Sequence, residues 1–509
     1  MPEGRRAPPI FWVSAGLVAI FVVATSLWPT AARAGFARLL SEITTRFGWL
    51  FILSVGGFLI AAIALAVSPF ARIRLGPDDA EPEFSLTTWL AMLFAAGMGI
   101  GLVFFGVAEP LTHFAAPLEA TPHTTAAAQE AMVLTFFHWG LHAWAIYAIV
   151  GMTLAYFCFR RGRPLAPSSA LEPLIGRWAV RGPGKAVDVL AVFGTLFGLA
   201  TSLGLGAMQV NAGLAELFGL PKSITVQLVI IACITAAATA SVVSGLHAGV
   251  RRLSEANMIL AAALLVFVLA AGPTALLLDC FVDNLGHYLQ GLVQRTFSRA
   301  AWRGDDDWHA RWTLFYWAWW ISWAPFVGTF IARISRGRTI REFVAGVVLV
   351  PSLLTFVWLT VFGDTALWLE LRGGVEVSSA VAADASTAIY VVLRELPGGA
   401  AACLVTTLVV ILFFVTSSDS GSLVVDMLSS DGDPNPPIRR RVFWAVSEGV
   451  VAAVLLAVGG LESLQAAAIA TGLPFCVVVI AMLVGLVVAL RRFEGPELER
   501  APRTPRSQD

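Results

Sequence analysis

The chain has 509 residues, of which 57% are hydrophobic and only 13% are charged. Soluble domains carry about 25% charged residues, so this composition excludes a soluble protein and indicates an integral membrane protein. Basic and acidic residues balance at 34 each, and only two of the basic ones are lysine, which argues against nucleic acid as a partner.

Twelve apolar segments are long enough to cross a bilayer, because a hydrocarbon core of about 30 Å needs about 20 helical residues. They predict an all-α protein with spans at residues 10–29, 47–69, 87–111, 130–158, 186–212, 224–245, 256–280, 312–334, 340–363, 398–428, 441–460 and 464–490.

The distribution of basic residues predicts the orientation of these spans. With a cytoplasmic N-terminus, 24 of the 34 basic residues fall on the inner side, so the positive-inside rule places both termini in the cytoplasm. The segment Ala32-Arg33-Ala34 after the first span leaves open a processed signal peptide as the alternative for that segment.

Two spans carry helix-breaking residues at corresponding places in two groups of five. The third span contains Gly97, Gly99 and Gly101 at alternate positions, and the eighth contains Pro325. Five crossings per group would invert the second copy, and paired broken helices are the usual position of the site in secondary transporters. Helix packing is the alternative explanation for each motif alone.

Aromatic residues occur inside spans four and eight rather than at their ends. On a regular helix Trp139, Tyr147 and Trp144 would lie at about 0°, 80° and 140°, which gives one broad aromatic face. Aromatic cages bind quaternary ammonium groups, which have no N–H to donate, through the ring quadrupoles. Core packing is the alternative explanation. The second face comes from span eight, with Trp319, Trp320 and Trp323.

Span ten holds four hydroxyls and one acid in the segment 416–420. Such hydroxyls usually bond back to their own helix. Their density here also predicts oxygen ligands for a hard cation such as Na⁺.

These motifs resemble those of the betaine/carnitine/choline transporter family: the glycine run continuing into Ala108-Glu109-Pro110, the segment from His138 to Trp144, and the tryptophan-rich segment 317–325. The resemblance implies a LeuT-type fold, a homotrimer in the bacterial inner membrane, and secondary active uptake by alternating access. The corresponding segments are a terminus at 1–9, two peripheral helices at 10–86, a first repeat at 87–283, an extracellular connection at 284–311, a second repeat at 312–490 and a cytoplasmic tail at 491–509.

The resemblance also implies roles for single residues. The substrate-binding set would comprise Trp139, Trp144, Tyr147, Trp319, Trp320 and Trp323, the backbone at Gly97, Met98, Gly99 and Gly101, and Ser202. One Na⁺ would bind the carbonyls of Ala95, Met98 and Phe413 and the hydroxyls of Thr416 and Ser417.

A second family Na⁺ site matches this chain only in part. Thr195 and Phe326 match it, but Leu199 stands where the family has a second hydroxyl, with Thr201 and Ser202 one turn away as substitutes. Two sodium ions per cycle are therefore in doubt. No organic cofactor is expected.

The substrate class follows from charge. Choline carries a net positive charge, so a buried choline site would need an acidic side chain to balance it. In the family resemblance, choline-specific members have an aspartate at the end of the glycine motif, where this chain has Gly101. A zwitterion neutralises its own charge and needs no acidic side chain, so we predict glycine betaine as the substrate. Together with the match to the first Na⁺ site, this predicts sodium symport of glycine betaine. The alternatives are proton-coupled or uncoupled uptake or exchange of choline, carnitine or dimethylsulfoniopropionate, with Glu109, Asp364 and Asp419 as candidate proton carriers.

A membrane enzyme is the weaker alternative, because the sequence shows no catalytic constellation. His138 and His142, spaced i and i+4, would share one helix face, and we interpret them as hydrogen-bonded structure rather than metal ligands.

Overall fold

A computed structural model of the chain describes residues 7–97, 99–244, 247–299, 306–433 and 436–496. These residues are almost entirely helical, and beyond one isolated antiparallel bridge between Arg74 and Thr339 they form no strand. The predicted all-α class is confirmed.

The first ten helices cover the segment up to residue 271. They are α1 Pro9–Leu27, α2 Pro29–Val67, α3 Leu86–Gly97, α4 Ile100–Ala115, α5 Thr125–Trp139, α6 Leu141–Ala155, α7 Glu172–Ile175, α8 Gly182–Phe218, α9 Ile224–Ser244 and α10 His247–Ala271.

The remaining helices follow the same pattern of long apolar segments joined by short loops. They are α11 Thr274–Thr296, α12 Asp306–Arg311, α13 Thr313–Ile334, α14 Ile340–Leu359, α15 Thr365–Arg372, α16 Val377–Ala383, α17 Ala388–Arg394, α18 Gly399–Ser429 and α19 Ile438–Ala489. The predicted extracellular connection at 284–311 is thus helical in its first part, up to Thr296.

Nine helices among the described residues are long and apolar enough to cross a membrane. The count differs from twelve for physical reasons: α3 and α4 divide the third predicted span, and α13 is rich in tryptophan, which is only weakly apolar. In addition, α19 contains two predicted spans, and its helical geometry fails at Gly459 and Gly460 (φ 58°) between them. Twelve crossings therefore stay a prediction.

The glycine run interrupts the third predicted span, as the sequence indicated. Helix α3 ends at Gly97, Gly99 is fully extended (φ −157°, ψ −179°), and α4 begins at Ile100. Met98 lies outside the described residues. The break leaves the last carbonyls of α3 and the first amides of α4 without helical partners.

A second break, at Gly140, was not predicted. Gly140 (φ −94°, ψ −135°) separates α5 from α6 within what the sequence presented as one span. A Cβ at Gly140 would fall 2.5 Å from Cζ of Phe356, so the ring of Phe356 on α14 occupies the space that a larger residue would need.

The interruption predicted at Pro325 is wrong, because α13 runs without a break from Thr313 to Ile334. Hydrogen bonds connect the segment of α13 around Pro325 to the neighbouring helices α8 and α19. The Ser322 hydroxyl donates to the carbonyl of Gly194 on α8 at 2.9 Å and lies 2.9 Å from Oγ1 of Thr471 on α19. A proline is tolerated in such a helix when the surrounding helices satisfy the freed polar groups.

Helix α13 crosses the centre of the molecule, packed against α6, α8 and α19. Glycines permit a close approach to α6: a Cβ at Gly328 would lie only 3.2 Å from the amide nitrogen of Gly151. Small residues at such crossings let two backbones come together. The aromatic side chains of α6 and α13 therefore face each other at short range.

Candidate functional site

A cavity lies at the break of the third predicted span, between α4, α6 and α13. Nine of the predicted substrate-binding residues line it: Trp139, Trp144, Tyr147, Trp319, Trp320, Trp323, Gly99, Gly101 and Ser202. Of the other two, Gly97 is the last residue of α3 and Met98 lies outside the described residues. Sequence reasoning missed three further lining residues, Leu102, Ala143 and Thr355, whose ordinary helical context gives no signal.

The aromatic side chains form one continuous wall. Trp319 and Trp320 stack with ring centroids 4.7 Å apart and planes at 15°, and the edge of Trp139 meets Trp320 at 4.9 Å and 71°. Tyr147 continues the wall, 6.4 Å from Trp320 and 5.6 Å from Trp144. These offset and edge-on arrangements are the favourable ones for ring quadrupoles.

The angular argument for this wall was wrong in its geometry. It placed Trp139, Trp144 and Tyr147 on one regular helix, whereas the break at Gly140 leaves Trp139 on α5 and the other two on α6. The three rings converge on the cavity because the two helix segments change direction at Gly140.

Hydrogen bonds fix three of the indole rings. Trp320 Nε1 donates to the carbonyl of His138 at 3.0 Å, and Trp319 Nε1 donates to the carbonyl of Gly198 at 3.4 Å. Trp139 Nε1 donates to Oε2 of Glu109 at 2.8 Å. Because these N–H groups are satisfied within the protein, the rings present their apolar faces and edges to the cavity.

Two residues that line the cavity each have a buried polar atom with no hydrogen-bond partner among the described residues. These atoms are the hydroxyl of Tyr147 and Nε1 of Trp323. A buried donor without a partner is costly, and such groups usually pair with a ligand or ordered water. None of the described lining residues carries a charge.

A second cavity, of about 200 Å³, adjoins the first at Trp323. Phe413, Thr416 and Ser417 of the predicted Na⁺ site line it, together with Met92 on the last turns of α3. The Thr416 hydroxyl donates to the carbonyl of Leu412 at 2.8 Å. A hydroxyl that donates to its own helix still has lone pairs to offer a cation.

The other predicted Na⁺ site stays a prediction. The Thr195 hydroxyl is buried with no hydrogen-bond partner among the described residues, and Phe326 lines the second cavity. Leu199 is fully buried and fills the space against α18, since a Cβ at Gly421 would fall 2.4 Å from its Cδ1.

The two substitute hydroxyls have contacts of their own. Thr201 donates to the carbonyls of Phe197 and Leu464, at 2.9 Å and 3.0 Å, and so turns toward α19. Ser202 lines the first cavity.

The two histidines do not share a helix face, because Gly140 separates them, and that prediction is wrong. The interpretation as hydrogen-bonded structure is confirmed. His138 Nδ1 lies 2.6 Å from Oε1 of Glu109 and Nε2 lies 3.0 Å from Oγ1 of Thr313, whereas His142 Nε2 lies 2.9 Å from Oγ1 of Thr296.

The three candidate proton carriers all have partners. Glu109 is fully buried behind the aromatic wall, where His138 and Trp139 contact it. Asp364 accepts a hydrogen bond from Asn284 at 2.8 Å, and Oδ1 of Asp419 lies 3.2 Å from an Arg441 guanidinium nitrogen.

Comparison with known proteins gives one consistent picture. A family model described as "betaine/carnitine/choline family transporter" matches residues 9–494. An uncharacterized transporter of Mycobacterium tuberculosis is 50% identical over 93% of this chain and 81% of its own length. The glycine betaine transporter OpuD of Bacillus subtilis is 44% identical over 99% of both chains, and the high-affinity choline transport protein of Escherichia coli is 41% identical over 99% of this chain and 75% of its own.

Proposed function

Because the chain belongs to the betaine/carnitine/choline family of transporters, we propose that it imports a zwitterionic quaternary ammonium compound, with glycine betaine first, together with Na⁺. The chain is a membrane transporter and not an enzyme. The substrate, the coupling ion and the alternating-access cycle are the proposal.

One observation carries the choice of substrate: the described residues that line the cavity form an aromatic wall, include two buried donors with no partner among the described residues, and carry no charge. The stacked rings of Trp319 and Trp320, with Trp139 edge-on, suit a trimethylammonium group. The carboxylate of a zwitterion would accept hydrogen bonds from Tyr147 and Trp323. A net cation such as choline would enter this cavity without a counter-charge.

The first cation site is supported by the break in α3. The last four carbonyls of a helix have no intrahelical partner, and Ala95 lies within that last turn. Met92, on the same helix, lines the second cavity with Thr416 and Ser417. We therefore propose that Na⁺ binds between the end of α3 and the hydroxyls of α18, beside the substrate cavity.

Occupation of this site by Na⁺ would couple the binding of the cation to the binding of the substrate. The cation would hold α18 against the broken end of α3, and α4, which begins the substrate cavity, continues from that break. Substrate binding and Na⁺ binding would then favour the same arrangement of these helices, which is the requirement for coupled transport.

Family membership also supports a homotrimer, a bacterial inner-membrane location and cytoplasmic termini, which we propose together with the LeuT-type inverted repeat. Native mass spectrometry in detergent tests the first: a dominant species at three chain masses is expected. A monomer at all protein concentrations would contradict it.

Uptake of radiolabelled glycine betaine into proteoliposomes tests the function itself. An inward Na⁺ gradient should drive accumulation, K⁺ replacing Na⁺ should abolish it, and unlabelled dimethylsulfoniopropionate or carnitine should compete better than choline. Exchange without Na⁺, or accumulation under a proton gradient, would overturn the coupling. Strongest competition by choline would overturn the substrate.

A further inference from the structure

A fully buried carboxylate lies directly behind the aromatic wall without lining the cavity. Oε2 of Glu109 accepts hydrogen bonds from Trp139 Nε1 at 2.8 Å and from the Tyr316 hydroxyl at 2.5 Å. Oε1 lies 2.6 Å from Nδ1 of His138 and 3.3 Å from Nε2 of His113. Four ring side chains from three helices thus converge on one carboxylate.

The cage is the set of six aromatic residues that line the cavity, Trp139, Trp144, Tyr147, Trp319, Trp320 and Trp323. Both hydrogen-bond partners of Oε2 belong to this cage or pack directly against it. Trp139 lines the cavity itself, and Tyr316 stacks behind Trp320 with centroids 5.7 Å apart and planes at 25°. Tyr316 also meets Trp139 at 5.5 Å and 67°. An aromatic side chain has a broad, shallow preference about χ2, so a hydrogen bond at the ring edge selects one orientation.

We propose that Glu109 is the positioning residue of the substrate cage, which orients Trp139 and Tyr316 without touching the substrate. The assignment rests on the proposed function, since it concerns how this cavity recognises its ligand. Glu109 lies on α4, Trp139 at the end of α5, and Tyr316 on α13. The carboxylate therefore connects α4, which continues from the glycine break, to α5 and α13, two of the three helices that supply the cage rings.

The same atoms invite a metal-site interpretation, because ligand atoms of Glu109, His113 and His138 lie within 4.8 Å of one another. The distances argue against it. Zinc ligands about 2.0–2.2 Å from a tetrahedral ion stand more than about 3 Å from each other. The 2.6 Å between Glu109 and His138 is instead a hydrogen-bond distance. Oε2 is also already occupied by two donors.

The substitution Glu109→Gln tests the proposal, because the amide keeps the size of the side chain and has only one acceptor oxygen. We expect KM for glycine betaine to rise about tenfold, while the maximal rate stays within about twofold of wild type. Asp188→Asn on α8 is the matched control, a buried acid whose hydrogen bonds come from the backbone amide and hydroxyl of Ser168, and it should leave KM unchanged.

A double-mutant cycle separates positioning from a general structural effect. Trp139→Phe combined with Tyr316→Phe keeps an aromatic ring at each position, with a smaller ring at residue 139, and removes both donors to Oε2. In that background, Glu109→Gln should change KM by less than about twofold, because the interactions through which it acts are gone. A full tenfold effect there would overturn the proposal, and so would a lowered maximal rate with unchanged KM.

Two further readouts keep the test decisive. If Glu109→Gln fails to fold, Trp139→Phe alone still discriminates, since an unchanged KM would mean that the indole N–H bond to Glu109 does not shape the cage. Loss of wild-type uptake in EDTA and its recovery with Zn²⁺ would replace positioning by a metal site. KM is measured for whichever zwitterion or choline wild type accumulates, so failure of glycine betaine as substrate does not affect this result.

Discussion

Gly101 lies directly against the indole ring of Trp319. A Cβ at this position would fall 2.7 Å from Cη2 of Trp319 and 3.1 Å from Cη2 of Trp139. The absence of a side chain at residue 101 is therefore what allows the two rings to close on the cavity. The sequence interpretation used this position as part of the helix break, for its backbone and for its missing charge, and the structure adds a steric requirement.

We predict that Gly101→Ala lowers the affinity for glycine betaine by about tenfold, because both rings must move to admit the methyl group. Gly99→Ala should have a smaller effect, since a Cβ there meets only Trp323, at 3.9 Å. Concentration-dependent uptake in proteoliposomes measures both. Equal effects of the two substitutions would contradict the ring-spacing argument.

The argument that choline needs an acid at residue 101 is tested by a second substitution, with Gly101→Ala as the reference. Gly101→Asp displaces the rings as Gly101→Ala does and adds an acid beside the cage. Relative to Gly101→Ala, it should therefore shift the preference from glycine betaine toward choline, measured as the ratio of the two KM values. An unchanged ratio would remove the charge-based reason for excluding choline.

Truncation of the cage rings should weaken substrate binding in proportion to the lost cation–π contact. Trp320→Ala and Trp323→Ala should each raise KM by about 5- to 30-fold, which corresponds to about 1–2 kcal/mol per ring. Trp49→Ala on α2, where the side chain is 56% exposed, is the control and should leave KM unchanged. Trp312 is unsuitable as a control, because its ring lies 4.4 Å from that of His113 in the Glu109 cluster.

The unpaired hydroxyl of Tyr147 provides a test that depends on the substrate's carboxylate. Tyr147→Phe keeps the ring and removes the donor, so KM for glycine betaine should rise about tenfold. KM for choline, which has no carboxylate, should change little. Tyr390→Phe, another buried tyrosine, is the control. An equal loss for both substrates would place the carboxylate elsewhere.

The cation site is tested by Thr416→Ala. Removal of one oxygen ligand should raise the Na⁺ concentration for half-maximal uptake by about tenfold or more. Thr406→Ala on the same helix is a matched control, because its hydroxyl also donates to a carbonyl four residues back, at 2.8 Å, as that of Thr416 does. An unchanged Na⁺ requirement in Thr416→Ala would move the cation away from α18.

Composition and residue type were sufficient to predict the helical class, the glycine break and the aromatic cage. Six aromatic positions on two predicted spans converge on one cavity. The cage was predictable because aromatic rings deep in a span have few roles other than packing or binding.

The remaining features depend on contacts that spacing does not encode. Gly140 breaks a helix although isolated glycines are often tolerated, and Pro325 does not break one because α8 and α19 hold α13 in place. Three of the four partners of Glu109 lie 29, 30 and 207 residues away from it, so only the fold shows that they meet.

We predict that Leu199 limits transport to one sodium ion per substrate. With no hydroxyl at this position and Thr201 bonded to α19, we propose a single Na⁺ site, on α18, so the Na⁺ activation curve should show a Hill coefficient of about 1. Leu199→Thr would place an oxygen near Thr195, and we expect the Hill coefficient to rise toward about 2.

Because Leu199 packs against Gly421, the loss of volume should also lower stability by about 1–3 kcal/mol. Leu199→Val is the control for that loss, since it removes volume without adding an oxygen. A wild-type coefficient near 2 would mean that another oxygen, such as that of Ser202, already completes the second site.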